Sequence, residues 1–161
     1  MRVLLIVVLV FSFFSLSFMT LKDLKDADEL YARVNAQNYR EFARAPGFEK
    51  RTQSEAEMQH FFEEPLTVEI YINDIVVEAL TKDSIEKWPV GSLLVKDGFL
   101  DDKLELISVL EKREDGWFYA EWNGEAAAKT AGYAVQVCIG CHASGDDMVR
   151  AFKFPQYQDS K

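Results

Sequence analysis

The sequence is poor in the residues that form disulfides and bind metals. It contains two cysteines and two histidines among 161 residues. A disulfide-dense scaffold needs more cysteines than this, so that class of protein is excluded. The same shortage excludes a protein with several metal sites. Proline and glycine are also few, with 4 and 8 residues, while 48% of the chain is hydrophobic. The composition is therefore that of a globular domain and not of a fibrous or disordered chain.

Positive charge is scarce as well. Lysine and arginine together number 18 against 27 acidic residues, which gives a formal net charge of −9. Binding to nucleic acid requires basic surface that neutralises phosphates, so this balance argues against it. An acidic surface instead favours a basic protein partner through electrostatic steering.

The sequence has a single long apolar run, and it lies at the N-terminus. Arg2 precedes an apolar stretch at residues 3–14, and the small residues Ser15 and Ser17 follow it. This pattern is typical of a secretory signal peptide, which we place at residues 1–17, with cleavage as late as residue 20 as a variant. The apolar run is shorter than the roughly 20 residues of a transmembrane helix. We therefore expect a periplasmic or secreted protein, with an N-terminal membrane anchor as the alternative.

The remainder, residues 21–161, shows no repeat and no linker, so we expect one domain. Apolar spacing predicts helices within residues 21–45 and at 75–88, and residues 48–64 are interpreted as a long loop. Alternation and turn residues predict strands at 66–72, 92–96, 103–112 and 117–122. Asp97-Gly98 and Asp115-Gly116 are interpreted as turns between strands. Short strands combined with helices indicate an α+β fold, mostly an antiparallel sheet packed with helices.

One motif has specific chemistry: Cys138-Ile139-Gly140-Cys141-His142 is a C-x-x-C-H sequence, the attachment signature of c-type haem. In such a site the two thiols form thioether bonds with the two vinyl groups of the porphyrin. The adjacent imidazole reaches the iron as the proximal ligand. The motif therefore predicts one covalent haem c near the C-terminus, attached at Cys138 and Cys141 and ligated by His142.

The two cysteines have other interpretations. They could form a disulfide or a redox pair, but the βαβ context of a thioredoxin-like C-x-x-C is missing. They could bind zinc, but a structural zinc site needs four ligands, and only His142 and the distant His60 are available to add to the two thiols. Since both cysteines of an exported chain fall within the motif, haem c is the favoured interpretation.

The sixth iron ligand decides between electron transfer and ligand binding. Met148 lies six residues after His142, too near in sequence for the chain to reach the opposite face of the haem. Met58 and His60 lie in the predicted loop, where an exposed surface role is the simpler interpretation. We therefore expect an iron with an open distal site that binds small ligands. A six-coordinate electron-transfer cytochrome is the alternative.

Several short motifs, taken in order, resemble one family. They are Asn38-Tyr39-Arg40-Glu41-Phe42, then Val68-Glu69-Ile70-Tyr71-Ile72-Asn73, Trp88-Pro89-Val90-Gly91-Ser92-Leu93-Leu94-Val95-Lys96, Gly116-Trp117-Phe118-Tyr119, the haem motif and Asp147-Met148-Val149. Their order and spacing over residues 36–157 are similar to those of the cytochrome P-460 family, which includes the cytochrome c′-beta proteins.

The resemblance implies an α+β fold, a homodimer and an open or apolar distal face. Enzymatic members oxidise hydroxylamine, with nitric oxide as a substrate or product, and carry an extra haem bond from a lysine at the position of Lys96. Other members only bind nitric oxide or carbon monoxide. On residue type alone, Lys96 is interpreted as a solvated strand lysine, because lysine is rarely buried. With the resemblance taken into account, a position of Lys96 at the haem edge is an equally good interpretation.

The chain departs from the family pattern at three places. Enzymatic members often have a basic residue before the V-Y-V strand, where this chain has Thr67 and Val68. Phe42 stands where the N-Y-R-x-W motif has tryptophan, and Arg150 where the D-x-V-F motif has phenylalanine. Hydroxylamine oxidation releases protons and so needs a base. Each of the predicted strand carboxylates is interpreted as part of a solvated face: Glu69, Glu105, Glu111 and Glu121. The sequence therefore leaves three functions open: oxidation of small nitrogen compounds, electron transfer to a periplasmic redox partner, and gas binding without turnover.

Overall fold

The computed structural model describes residues 19–53, 63–125, 128–133 and 135–158. The predicted signal peptide at residues 1–17 lies outside these ranges, as do Met58 and His60. Within the ranges, none of the helices combines the length and the apolar character needed to cross a bilayer.

The core of the fold is a seven-stranded sheet in which every paired strand is antiparallel. The strands are β1 (Ala43–Arg44), β2 (Arg51–Thr52), β3 (Thr67–Ile72), β4 (Leu93–Leu100), β5 (Lys103–Arg113), β6 (Gly116–Asn123) and β7 (Ala128–Gly132). Their order is β1-β3-β4-β5-β6-β7, and β2 also pairs with β3. The predicted α+β class with a mostly antiparallel sheet is confirmed.

Three helices accompany the sheet: α1 (Leu21–Ala36), α2 (Asp74–Leu80) and α3 (Gln136–His142). The first lies within the predicted range and ends next to Asn35, a residue that can interrupt a helix, whereas α2 is shorter than the predicted 75–88. After α1 the chain adopts a left-handed conformation at Asn38, and a 3₁₀ turn at Tyr39–Glu41 follows. After α2 it leaves the helical path before Trp88, whose indole is buried against Phe152 and Phe154 instead. The tertiary packing of Trp88 thus overrides the apolar periodicity that predicts a longer α2.

The prediction of a turn at Asp97-Gly98 is wrong, because β4 continues through both residues. Gly98 is needed there for close packing: a Cβ at this position would lie 2.7 Å from Leu66 Cδ1. The turn lies instead at Asp101 and Asp102, whose φ angles of 49° and 61° suit a two-residue hairpin. The strand therefore carries Lys96 and Asp97 in its middle, on opposite faces of the sheet.

The alternation of side chains along the strands produces two cores. One face packs against α1, and we call it the α1 face. Its core includes Leu30 and Val34 of α1 and the strand residues Val95 and Ile107. The opposite face packs against α2, α3 and the C-terminal segment. Its strand residues are Val68, Ile70, Ile72, Leu94, Leu106, Leu110, Trp117 and Tyr119. We call this second face the α3 face, because the helix that contains the C-x-x-C-H motif packs against it.

Candidate functional site

The C-x-x-C-H motif forms α3 and lies against a cavity of about 200 Å³ on the α3 face. Cys138, Cys141 and His142 all line this cavity, and so does Lys96 from β4. The four residues that the sequence singled out thus lie together, although more than 40 positions of sequence separate Lys96 from the motif. The apolar part of the lining includes Phe48, Val68, Ile70, Leu94, Leu110 and Val149.

The imidazole of His142 is held by one specific hydrogen bond. Its Nδ1 lies 2.7 Å from the backbone oxygen of Met148. Because a carbonyl oxygen can only accept, Nδ1 carries the proton, and Nε2 is left as the nitrogen with a free lone pair. Burial lowers the pKa of His142, which favours the neutral ring that can bind a metal. The ring also packs edge-on to Tyr119, with 5.5 Å between the ring centres.

The two thiols differ in their surroundings. Both are free, with Cys138 half-buried and Cys141 exposed. Burial raises the pKa of Cys138 to about 12, and the nearby charge of Glu121 adds to this effect. The guanidinium of Arg150 donates a hydrogen bond to Sγ of Cys141. The i, i+3 spacing on one helix puts both sulfur atoms on the same side of α3, where they can reach one porphyrin edge.

A row of polar side chains crosses the cavity wall. Lys96 on β4 pairs in register with Ser108 on β5, which pairs with Glu121 on β6. All three line the cavity, and Ser108 Oγ donates a 2.8 Å hydrogen bond to Glu121 Oε1. Glu121 is only 6% exposed. The row therefore places a buried carboxylate and a half-buried lysine in a cavity whose remaining lining is mainly apolar but also includes Arg51, Gln53 and Arg150.

The solvated-face interpretation is wrong for two of the four strand carboxylates. Glu121 is buried in the cavity, and Glu111 is buried on the α1 face in ion pairs with Arg33 and Arg113. Glu69 and Glu105 lie outside the cavity lining, and Glu105 pairs with a lysine at the β4–β5 hairpin. Burial of Glu121 depends on strand register, which the sequence alone does not fix.

The aromatic residues of β6 divide between the two faces of the sheet. Tyr119 lines the cavity, while Phe118 and Trp122 are buried on the α1 face. The Tyr119 ring is buried, and its hydroxyl has no hydrogen-bond partner within the described ranges. Burial raises the pKa of Tyr119 to about 12, so the hydroxyl keeps its proton. A buried donor without a partner is costly unless another group accepts from it.

These residues fit a covalently attached haem. The thiols are free, His142 offers Nε2, the cavity is mainly apolar, and the Tyr119 hydroxyl is available as a donor to a polar group of the porphyrin. The backbone carbonyl of Met148 contacts Nδ1 of His142, so Met148 lies on the same side as the predicted proximal ligand. The described lining residues include no methionine and no second histidine.

The zinc interpretation lacks a ligand set in the described ranges. No three histidine, cysteine, aspartate or glutamate side chains are grouped there in a way that could hold a metal ion.

A scan against protein-family models finds no match to this chain, and a search of curated proteins finds no matching relative.

Proposed function

We propose that the protein is an exported monohaem c-type cytochrome whose open distal iron site binds or oxidises small nitrogen compounds, such as hydroxylamine or nitric oxide. The observation that carries this proposal is the arrangement of α3. Its two free thiols and an imidazole with a free Nε2 line the same cavity.

Attachment needs only groups that the chain and the porphyrin supply. Each thiol adds across one vinyl group: sulfur bonds to one vinyl carbon and the thiol hydrogen moves to the other. No oxidant is required. His142, held by the Met148 carbonyl, then offers Nε2 to the iron. When bound, haem supplies an iron atom that binds small ligands and exchanges electrons one at a time.

The polar row favours turnover over simple gas binding. Oxidation of hydroxylamine to nitric oxide releases protons and electrons in equal number. A one-electron redox partner takes the electrons, and the acidic surface favours a basic one. Glu121 is the buried carboxylate of the cavity, and Ser108 fixes its orientation. We assign Glu121 as the group that accepts protons from the substrate.

Lys96 lies in the same row and lines the cavity, consistent with the extra haem bond that the family resemblance implies. That bond joins Nζ to a porphyrin carbon and removes one hydrogen from each atom. Its formation would need a two-electron oxidant, such as a peroxide, to accept the electron pair and the two protons.

Two other functions remain candidates. A gas-binding protein without turnover is favoured by the apolar remainder of the lining. A six-coordinate electron-transfer cytochrome requires a sixth ligand, for which Met58 and His60 are the residues to test, and both lie outside the described ranges.

The test is to express the chain with a haem-ligation system, purify it and mix it with hydroxylamine and a one-electron acceptor. We expect covalent haem, nitric oxide binding and acceptor reduction. Nitric oxide binding without acceptor reduction would identify the gas-binding alternative. Absence of covalent haem would reject the whole proposal.

A further inference from the structure

The Met148 carbonyl that holds His142 belongs to a strained turn. Asp147 and Met148 have φ angles of 45° and 70°, so two consecutive non-glycine residues adopt the left-handed conformation. Each such residue costs free energy and persists only where its surroundings enforce it. The turn is closed by a hydrogen bond from the Val149 amide to the Asp146 carbonyl. Some other contact must hold this turn in place.

The side chain of Asp147 provides that contact. Its Oδ2 accepts a 3.0 Å hydrogen bond from the backbone amide of Trp88, and Lys112 Nζ on β5 lies 3.1 Å from both of its oxygens. The carboxylate and the ammonium are only 17% and 14% exposed, so water screens the pair weakly. Asp147 thereby ties the turn to the sheet and to the loop before β4.

The neighbouring residue reinforces the same anchor. The indole Nε1 of Trp88 donates to the Asp146 carbonyl at 3.0 Å, and the Asp146 side chain accepts from the Phe154 amide at 2.9 Å. Trp88 itself is 2% exposed. The loop ahead of β4 and the C-terminal segment therefore form one rigid unit around Met148.

We propose that Asp147 is a positioning residue: through Lys112 and Trp88 it fixes the Met148 carbonyl against Nδ1 of His142 and so sets the electron donation of the imidazole to the haem iron. The proposal rests on the proposed function, because it concerns the proximal ligand. A carbonyl that accepts the Nδ1 proton makes the ring a stronger donor, which stabilises the ferric state. Loosening the turn weakens this effect.

The test compares Asp147→Asn with wild type in haem-loaded protein. The variant keeps the shape of the side chain but loses the ion pair with Lys112. We expect a rise in reduction potential equivalent to about a tenfold change in the ferric-to-ferrous ratio, which is about 59 mV for one electron. The iron–imidazole stretching frequency, measured by resonance Raman spectroscopy, should fall. Asp147→Glu, which restores the carboxylate, should return both values part of the way.

The matched control is Asp26→Asn. Asp26 forms an ion pair of similar exposure with Arg113, but on α1 and the opposite face of the sheet. The reduction potential and the iron–imidazole stretching frequency of Asp26→Asn should equal those of wild type. If the Asp147→Asn values equal those of the control, the proposal is overturned.

Two further measurements test the proposal if Asp147→Asn fails to load haem. Lys112→Met leaves Asp147 in place and should shift the potential in the same direction by a smaller amount. In wild-type protein, the His142 Nδ1 proton should exchange slowly with solvent in the proton NMR spectrum. Exchange as fast as that of an exposed imidazole would overturn the proposal without any substitution. Failure of the wild type to attach haem would reject the proposed function instead.

Discussion

The hydroxyl of Ser108 donates a hydrogen bond to the carboxylate of Glu121 inside the cavity that α3 closes, with 2.8 Å between the oxygens. The two residues face each other across β5 and β6, and Lys96 stands next in the same row on β4. The strand register thus brings a buried carboxylate and its hydrogen-bond donor to the cavity that the helix of the C-x-x-C-H motif also lines.

The first prediction concerns this pair. Glu121→Gln should lower the rate of hydroxylamine oxidation by about a hundredfold or more, because it removes the proton acceptor while keeping the shape of the side chain. Ser108→Ala should lower it by about tenfold through lost orientation, and Ser108→Thr should restore most of the rate. Stopped-flow reduction of the acceptor measures these rates.

Nitric oxide affinity and haem content serve as checks on the same variants and should not change. Glu105→Gln, a carboxylate change outside the cavity on the neighbouring strand, is the matched control. A rate for Glu121→Gln equal to that of Glu105→Gln would remove Glu121 from the reaction.

The second prediction concerns the thiols. Cys138→Ala and Cys141→Ala should each leave one thioether bond, and the double substitution should leave none. Mass analysis of the denatured protein measures the covalently retained haem. Because a bond from Lys96 would also retain haem, the double substitution is combined with Lys96→Ala, and full retention of covalent haem in that triple variant would show that the attachment lies elsewhere.

The third prediction concerns Lys96. If its Nζ is bonded to the haem, Lys96→Ala should change the optical spectrum and abolish a lysine-containing haem peptide after proteolysis. Lys96→Arg keeps the charge but cannot reproduce the same bond, so it should match Lys96→Ala. Spectra and peptide maps that are identical in wild type and both variants would leave Lys96 as an unmodified lysine of the cavity wall.

The fourth prediction concerns stability on the α1 face. The fully buried side chain of Asp97 accepts hydrogen bonds of 2.8 Å from Tyr39 Oη and from Arg40 Nε. Asp97→Ala leaves the Tyr39 hydroxyl buried without its acceptor, so the free energy of unfolding should fall by about 1–3 kcal/mol. Denaturant titration of the haem-loaded protein measures the change. Asp102→Ala, in an exposed pair with Lys50, should have little effect.

The same carboxyl gives a pH dependence with a definite sign. Burial raises the pKa of Asp97 above its ordinary value, outweighing the lowering by Arg40 and Tyr39, and the charge of Glu69 adds to the rise. The folded protein therefore binds this proton more tightly than the unfolded chain does. The resulting stability is present below about pH 4 and is lost as the pH rises through the folded pKa. The stability of wild type relative to Asp97→Asn should thus decline over that window. A constant difference, or one that grows with pH, would contradict the assignment.

The sheet and the attachment motif could be predicted from the sequence because both are local patterns. Alternation identified β3, turn residues helped to delimit β5, β6 and the first part of β4, and Cys138, Cys141 and His142 lie within five residues of the chain. β7, composed of small and polar residues, and the short helix α3 give no comparable periodic signal. Asp97-Gly98 resembles a turn locally, but the packing of Leu66 against Gly98 keeps it within β4.

The remainder of the site depends on contacts that no single segment encodes. Glu121 is buried because its register places it opposite Ser108, and the Met148 carbonyl reaches His142 because Asp147 is bound to Lys112 and Trp88. These relationships arise from strand pairing and loop docking.

The optical spectrum of purified, haem-loaded protein in the ferric and ferrous states tests the central claim most directly. Because the described lining offers no methionine and no second histidine, we predict a five-coordinate, high-spin iron whose spectrum changes when nitric oxide is added. A low-spin, six-coordinate spectrum that is insensitive to nitric oxide would contradict the open distal site.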